Sequence, residues 1–223
     1  KYAIQIANKN YPQDEINRLG DVTKWEDWSI DWSSIDLVTG GFPCQAWSIA
    51  GKQLGDKDER GMLFWTMLDI MKKVLEYSPK AKFLIENVKM KKEFEEYITL
   101  HTEAALGVVY KHLIDSALVS AQRRKRYYWT NIENIEQPED KKIFLNNILD
   151  NSEKFRDLPN CAFGNFGNNQ RIKGFNYVYN EKANTLTTNN SHTTQYLLNE
   201  SRDKCRLMNQ FEWEKLQTLP EKY

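Results

Sequence analysis

Up to residue 133 the apolar positions of this chain repeat with two periods, one helical and one of strands, and beyond it both fade. In KYAIQIANKN, residues 1–10, Tyr2, Ile6 and Lys9 fall near one face and the run stops before Tyr11-Pro12, which predicts the last turns of a helix. Ile35-Asp36-Leu37-Val38-Thr39 is a short apolar run ending in Gly40-Gly41, and Lys82-Phe83-Leu84-Ile85-Glu86 is another ending at Asn87. Both read as buried parallel strands. Between them, Met62, Trp65, Met67, Leu68, Met71, Val74 and Leu75 mark a helix over 61–77, stopped by Ser78-Pro79. A second amphipathic stretch over 90–106 leads to strand candidates at 112–119 and 126–132. This alternation predicts an α/β domain with an open parallel sheet that takes its ligands at the carboxyl ends of the strands. From Glu133 on, Asn, Gly and Thr dominate, and a loop-rich lobe is expected, with Phe163, Phe166, Phe175, Tyr177 and Tyr179 as its core material.

Composition changes this picture little. At 223 residues the chain is long enough for one α/β domain and a smaller region. No apolar run reaches the roughly 18 to 20 residues of a membrane span, so a soluble chain is expected. Lys plus Arg equals Asp plus Glu at 31 each, so any argument for nucleic-acid binding must rest on local clusters. The three cysteines, Cys44, Cys161 and Cys205, are odd in number and widely spaced, which argues against a disulfide framework or a zinc site and fits a reducing cytoplasm.

Three places carry candidate chemistry. Cys44 follows a strand through Gly40-Gly41-Phe42-Pro43, on a tight turn at the ligand edge where a nucleophile belongs; a buried structural thiol is the alternative. Glu86 ends the neighbouring strand, where partial desolvation is expected to help it share a proton with a ring nitrogen; a helix-end charge is the alternative. The basic run Gln122-Arg123-Arg124-Lys125-Arg126 leads into an aromatic strand, in which Gln122, Arg124 and Arg126 would share one face; a solvated basic turn is the alternative.

The motifs GGFPCQAWSIAGKQ (40–53), DERGMLF (58–64), FLIENVKM (83–90) and QRRKR (122–126) resemble, in order and spacing, the signature of the cytosine-5 DNA methyltransferases, phage and bacterial members in particular. The start of the chain through Gly20-Asp21-Val22 is similar to that family's adenine-contacting loop, and residues 206–223 to the segment that returns from its target-recognition lobe. The resemblance implies a Rossmann-like S-adenosylmethionine-dependent methyltransferase fold with a small loop-rich target-recognition lobe. It implies Cys44, Glu86, Arg124 and Arg126 as catalytic residues: thiolate addition to carbon 6 of cytosine, Glu86 at ring nitrogen 3, Arg126 at the ring carbonyl, and Arg124 at the cysteine loop and base edge. Asp21, Val22, Pro43 and Leu63 fall at cofactor positions; Asp21 read locally is equally an ordinary turn residue. Gln45, Ser48 and Gln122 are assigned to DNA, with Gln45 and Ser48 bracing the gap left by a flipped-out base. No metal is implied.

On this reading residues 1–132 form the catalytic domain, 133–205 the target-recognition region and 206–223 the return segment. The family's opening Phe-x-Gly-x-Gly loop and its closing Gly-Asn-Ser-Val-like segment have no counterpart here. The expectation is therefore an internal fragment or one piece of a split enzyme, inactive by itself. The expected partners are double-stranded DNA, no membrane, and a complementary polypeptide if the enzyme is split; the complete enzyme is expected to be a monomer. The expected setting is the cytoplasm of a bacterial or phage-infected cell, in a restriction-modification system. Two other readings stay open, a tRNA cytosine-5 methyltransferase and a non-catalytic DNA-binding fragment.

Overall fold

The computed structural model describes residues 2–12, 17–47, 61–150, 152, 154–157, 175–178, 182–183, 196–198 and 204–220. They divide into two compact units, one of Lys1–Ile114 with Lys125–Glu136, the other of Asp115–Arg124 with Gln137–Tyr223.

In the first unit α1 (Tyr2–Asn10), β1 (Leu37–Gly40), α2 (Leu63–Tyr77), β2 (Lys82–Val88), α3 (Lys92–Leu106), β3 (Tyr110–Asp115) and β4 (Lys125–Thr130) follow in chain order. The strands form a sheet of order β1-β2-β4-β3. β1 and β2 are parallel, with Gly40 opposite Ile85, so both strands end at the same edge. β4 runs antiparallel to β2. The sheet is thus mixed rather than wholly parallel. Residues 116–124, which join β3 to β4, are fewer than the roughly twelve that a parallel crossover takes, so the chain returns without one.

The helical period in α2 has a direct cause in packing. Phe64, Met67, Leu68, Met71 and Val74 recur at three- and four-residue spacing, and all five are buried. Phe64, Met67, Leu68 and Met71 meet Phe83 and Ile85 of β2, Ile98 of α3 and Trp129 of β4 in one core. β1 approaches α2 so closely that a Cβ at Gly40 would lie 2.9 Å from the Met67 sulfur, which is why glycine ends this strand. At the outer side of the core, Lys111 and Tyr127 both bond Glu95. Burial, then the bond to Glu95, pushes the Tyr127 phenol up to about 12.

The second unit contains β5 (Arg156–Asp157), β6 (Phe175–Val178), β7 (Tyr196–Leu198), β8 (Lys204–Leu207) and α4 (Gln210–Leu216), its strands ordered β5-β8-β7-β6. Leu145, Leu149, Ala183, Leu197, Met208 and Leu216 form its core. Phe163, Phe166, Tyr179 and Cys161 lie outside the described residues.

A buried ion pair ties α4 to β8. Arg206 and Glu212 are 5% and 1% exposed, and both guanidinium Nη atoms donate to the carboxylate at 2.7 Å. The Asp150 and Asn209 N–H groups add bonds of 2.7 and 2.9 Å. Burial pushes the Glu212 carboxyl up, but Arg206 and these two N–H groups outweigh it, and the net shift is downward. Glu212→Ala would leave a buried guanidinium unpaired, at a cost of about 3–5 kcal/mol that thermal melting would register. Because the folded value is lowered, the unfolded chain takes up the proton first. The stability from this pair is complete above the ordinary glutamate value of about 4.3 and is lost as pH falls below it toward the folded value, so acid melts of wild type and Glu212→Gln should converge there.

Candidate active site

Beyond Gly40 the chain runs through Gly41, Phe42 and Pro43 into a single 3-10 turn, Cys44–Ala46. Two buried aromatics hold it. Phe42 and Trp47 are 6% and 1% exposed, pack on each other with centroids 5.7 Å apart, and both contact Phe64 of α2. The Trp47 N–H closes the turn on the Cys44 carbonyl at 3.0 Å. Cys44 therefore sits half-buried, as a free thiol, on a loop whose flanks belong to the core while its apex does not.

The end of β2 fixes this loop. Asn87, 2% exposed, donates from Nδ2 to the Phe42 carbonyl at 3.1 Å. A Cβ at Gly41 would stand 3.2 Å from the Glu86 carbonyl oxygen and 3.5 Å from its Oε2, so the backbone passes directly against Glu86. Arg126 completes the group. Val88 is its ladder partner, which makes Glu86 a same-face diagonal neighbour, and its Nε meets Glu86 Oε1 at 2.8 Å. Arg126 is 11% exposed and also donates from Nη1 to the Lys125 carbonyl at 2.8 Å.

The Cys44 loop, Glu86 and Arg126 are thus brought together at one edge of the sheet. Glu86 is partly buried, its side chain 39% exposed, and it is ion-paired because antiparallel β4 presents Arg126 to it. The expected strand face shared by Gln122, Arg124 and Arg126 is corrected, since β4 begins only at Lys125. Before it, the Arg124 N–H donates to Asp115 Oδ1 at 2.8 Å and the Arg123 N–H to the Ala183 carbonyl at 2.7 Å, so this backbone is bonded away from the ladder. Gln122 bridges Ala183 and is 2% exposed, so it offers DNA no accessible surface in this conformation. Arg124 is half-buried on the same loop.

Asp21 caps the 3-10 turn Val22–Asp27, its Oδ1 accepting from the Thr23 N–H at 3.0 Å and hydroxyl at 2.8 Å. The backbone bond, then the hydroxyl bond, lowers its carboxyl from the usual range. This turn packs against α2, which begins at Leu63. Val22 is 40% exposed, Leu63 and Pro43 are half-buried, and the Asp21 carboxylate is accessible. Gln45 is exposed on the cysteine turn, and Ser48 lies outside the described residues.

Sequence reasoning passed over Asn87. The signal was a polar residue within the apolar run that ends at Val88, at a position whose period-two face is otherwise Phe83 and Ile85. Asn87→Ala should cost about 1–3 kcal/mol, since it leaves the Phe42 carbonyl without its donor, and should slow any chemistry at Cys44 more than it weakens ligand binding. Melting and single-turnover rates on one preparation separate the two effects.

This architecture is the Rossmann-like methyltransferase fold: the Entamoeba histolytica methyltransferase EhMeth superposes with a TM-score of 0.64 at 15% identity, over 100% of this chain and 77% of that one. The model for C-5 cytosine-specific DNA methylase matches residues 1–219, and the chain belongs to that family. The Type II methyltransferase M1.ScrFI of Lactococcus lactis subsp. cremoris is 31% identical over 250 aligned residues, covering 100% of this chain and 62% of that protein. M.NgoBV of Neisseria gonorrhoeae is 38% identical over 141 residues, 57% of this chain and 31% of that protein. The chain therefore spans less than two thirds of the length of these relatives. Among the described residues no helix is long and apolar enough to cross a membrane.

Proposed function

We propose that this protein is a DNA cytosine-5 methyltransferase using S-adenosylmethionine, with Cys44 as nucleophile. The observation that carries the reading is the convergence of the Cys44 loop, Glu86 and Arg126 on one sheet edge, in a member of the C-5 cytosine-specific DNA methylase family.

The Cys44 thiolate adds to carbon 6 of the target cytosine, forming the Sγ–C6 bond and moving the C5–C6 electron pair toward carbon 5. Glu86 hydrogen-bonds ring nitrogen 3 and supplies its proton, which stabilises the charge that arrives in the ring. Arg126 holds the Glu86 carboxylate in place and donates to the ring carbonyl; Arg124, two residues earlier, is assigned to the edge of the same base. S-adenosylmethionine supplies the methyl group that carbon 5 accepts. Val22, Pro43 and Leu63 offer it apolar surface, and the exposed Asp21 carboxylate is an acceptor for its adenine amino group. Loss of the carbon 5 proton to water, cleavage of Sγ–C6 and return of the nitrogen 3 proton to Glu86 restore the ring, the Cys44 thiolate and the acid. The base must leave the duplex for this geometry, and Gln45, exposed next to Cys44, is placed to brace the gap together with Ser48.

Double-stranded DNA is favoured over tRNA because the sequence relatives are Type II methyltransferases and the family model is a DNA methylase. Restriction-modification, a cytoplasmic setting and a monomeric enzyme belong to the same proposal. Incubation of the complete enzyme with labelled S-adenosylmethionine and duplex DNA should yield 5-methylcytosine on nucleoside analysis. Label that enters only tRNA would overturn the assignment to DNA, and label in neither would overturn the activity.

A further inference from the structure

We propose that Lys182 is a positioning residue for Arg124, holding the arginine-bearing loop of residues 116–124 in place within the second unit. The inference rests on the reading above in that Arg124 acts on the target base. Lys182 carries no role in that chemistry, yet its side chain is only 11% exposed. Its Nζ donates to the Ser120 carbonyl at 3.1 Å and to the Ala117 carbonyl, lies 3.9 Å from Asp140 Oδ1, and stands over the Phe144 ring at 5.2 Å.

The rest of the loop is held from outside itself in the same manner. The Leu118 carbonyl accepts from the Lys141 N–H at 2.7 Å and the Ala121 carbonyl from the Ala183 N–H at 2.7 Å. The Arg123 N–H returns a bond to Ala183, which is fully buried, and Asp115 Oδ1 takes the N–H groups of Ala117 and Arg124 at 3.1 and 2.8 Å. Carbonyls of 117, 118, 120 and 121 are thus all engaged, two of them by a single ammonium. Lysine suits this place because its three N–H donors radiate from one compact charge and can serve two carbonyls and a carboxylate at once. Without it the Ala117 and Ser120 carbonyls lose a charged donor in a half-buried setting, and the loop is free to shift. The Arg124 backbone moves with that loop, and misplacing a reacting group by about 1 Å can cost a hundredfold in rate.

The test is a double-mutant cycle on single-turnover methyl transfer. Lys182→Met is expected to lower the rate about ten- to hundredfold while duplex DNA and S-adenosylmethionine bind within about threefold of wild type, because positioning rather than binding is lost. Added to Arg124→Ala, it should cost nothing further, since the two act as one unit. A wild-type rate in Lys182→Met, or losses that simply multiply, would overturn the proposal. If Lys182→Met fails to fold, as its melting curve would show, Lys182→Arg decides. Its charge and donors are kept, but the larger planar guanidinium does not fit a nearly buried place sized for one compact ammonium, so its rate should still fall several-fold, and wild-type turnover would overturn the inference. Cys44→Ala run in parallel separates the two levels of argument. An active Cys44→Ala sinks the catalytic reading itself, whereas an inactive Cys44→Ala beside a fully active Lys182→Met sinks only the role of Lys182.

Discussion

Cys44→Ala in the complete enzyme should reduce methyl transfer by about 10⁴-fold or more while leaving duplex binding within a few-fold, because the thiolate makes the covalent bond and contributes little to phosphate contacts. The fold should tolerate the change. Phe42 and Trp47, not Cys44, anchor the turn in the core, and the Trp47-to-Cys44 bond that closes it uses only backbone atoms. Alanine at 44 therefore removes the reacting atom and keeps the loop. A rate assay and a melting curve on the same preparation should show a catalytic loss with almost no loss of stability. Retained turnover would mean that the thiol is structural.

Glu86→Gln and Arg126→Ala should each slow the chemical step by about 10²- to 10⁴-fold, the range for loss of a positioned acid or electrostatic partner. Glutamine can still accept from Arg126 and donate to ring nitrogen 3, but it has no proton to give. Arg126→Ala frees a carboxylate that is 39% exposed, so water rehydrates it and the stability cost is small, within the range of exposed ion pairs. That combination, a large kinetic effect beside a small thermal one, distinguishes this pair from Arg206–Glu212, where the buried geometry reverses the order. If Arg126 only met phosphate, its loss would chiefly flatten the salt dependence of binding. Single-turnover rates measured across a salt series discriminate the two roles.

Much of this site was legible in sequence because its backbone cues are local. A strand ending in Gly40-Gly41 announces a tight approach, and Glu86-Asn87 after Phe83-Leu84-Ile85 announces a polar strand end; parallel β1 and β2 then bring both to one edge. The helix α2 was legible for the same reason, its buried positions being those of one helical face. Strand direction was not, since an apolar run looks alike in either direction, and antiparallel β4 is what delivers Arg126 to Glu86. The loop before β4 was misread as strand because its partners, Lys182 and Ala183, stand some sixty positions further along the chain and leave no trace in a local window.

The central claim is that Cys44 bonds covalently to the target base, and trapping with 5-fluorocytosine tests it most directly. With fluorine on carbon 5 there is no proton to lose after methylation, so the Sγ–C6 bond cannot be released and the complex should survive denaturation. Peptide mapping of the adduct formed on duplex DNA with S-adenosylmethionine should place the modified base on Cys44. An adduct on Cys161 or Cys205, or none under conditions in which unmodified DNA is methylated, would contradict the account.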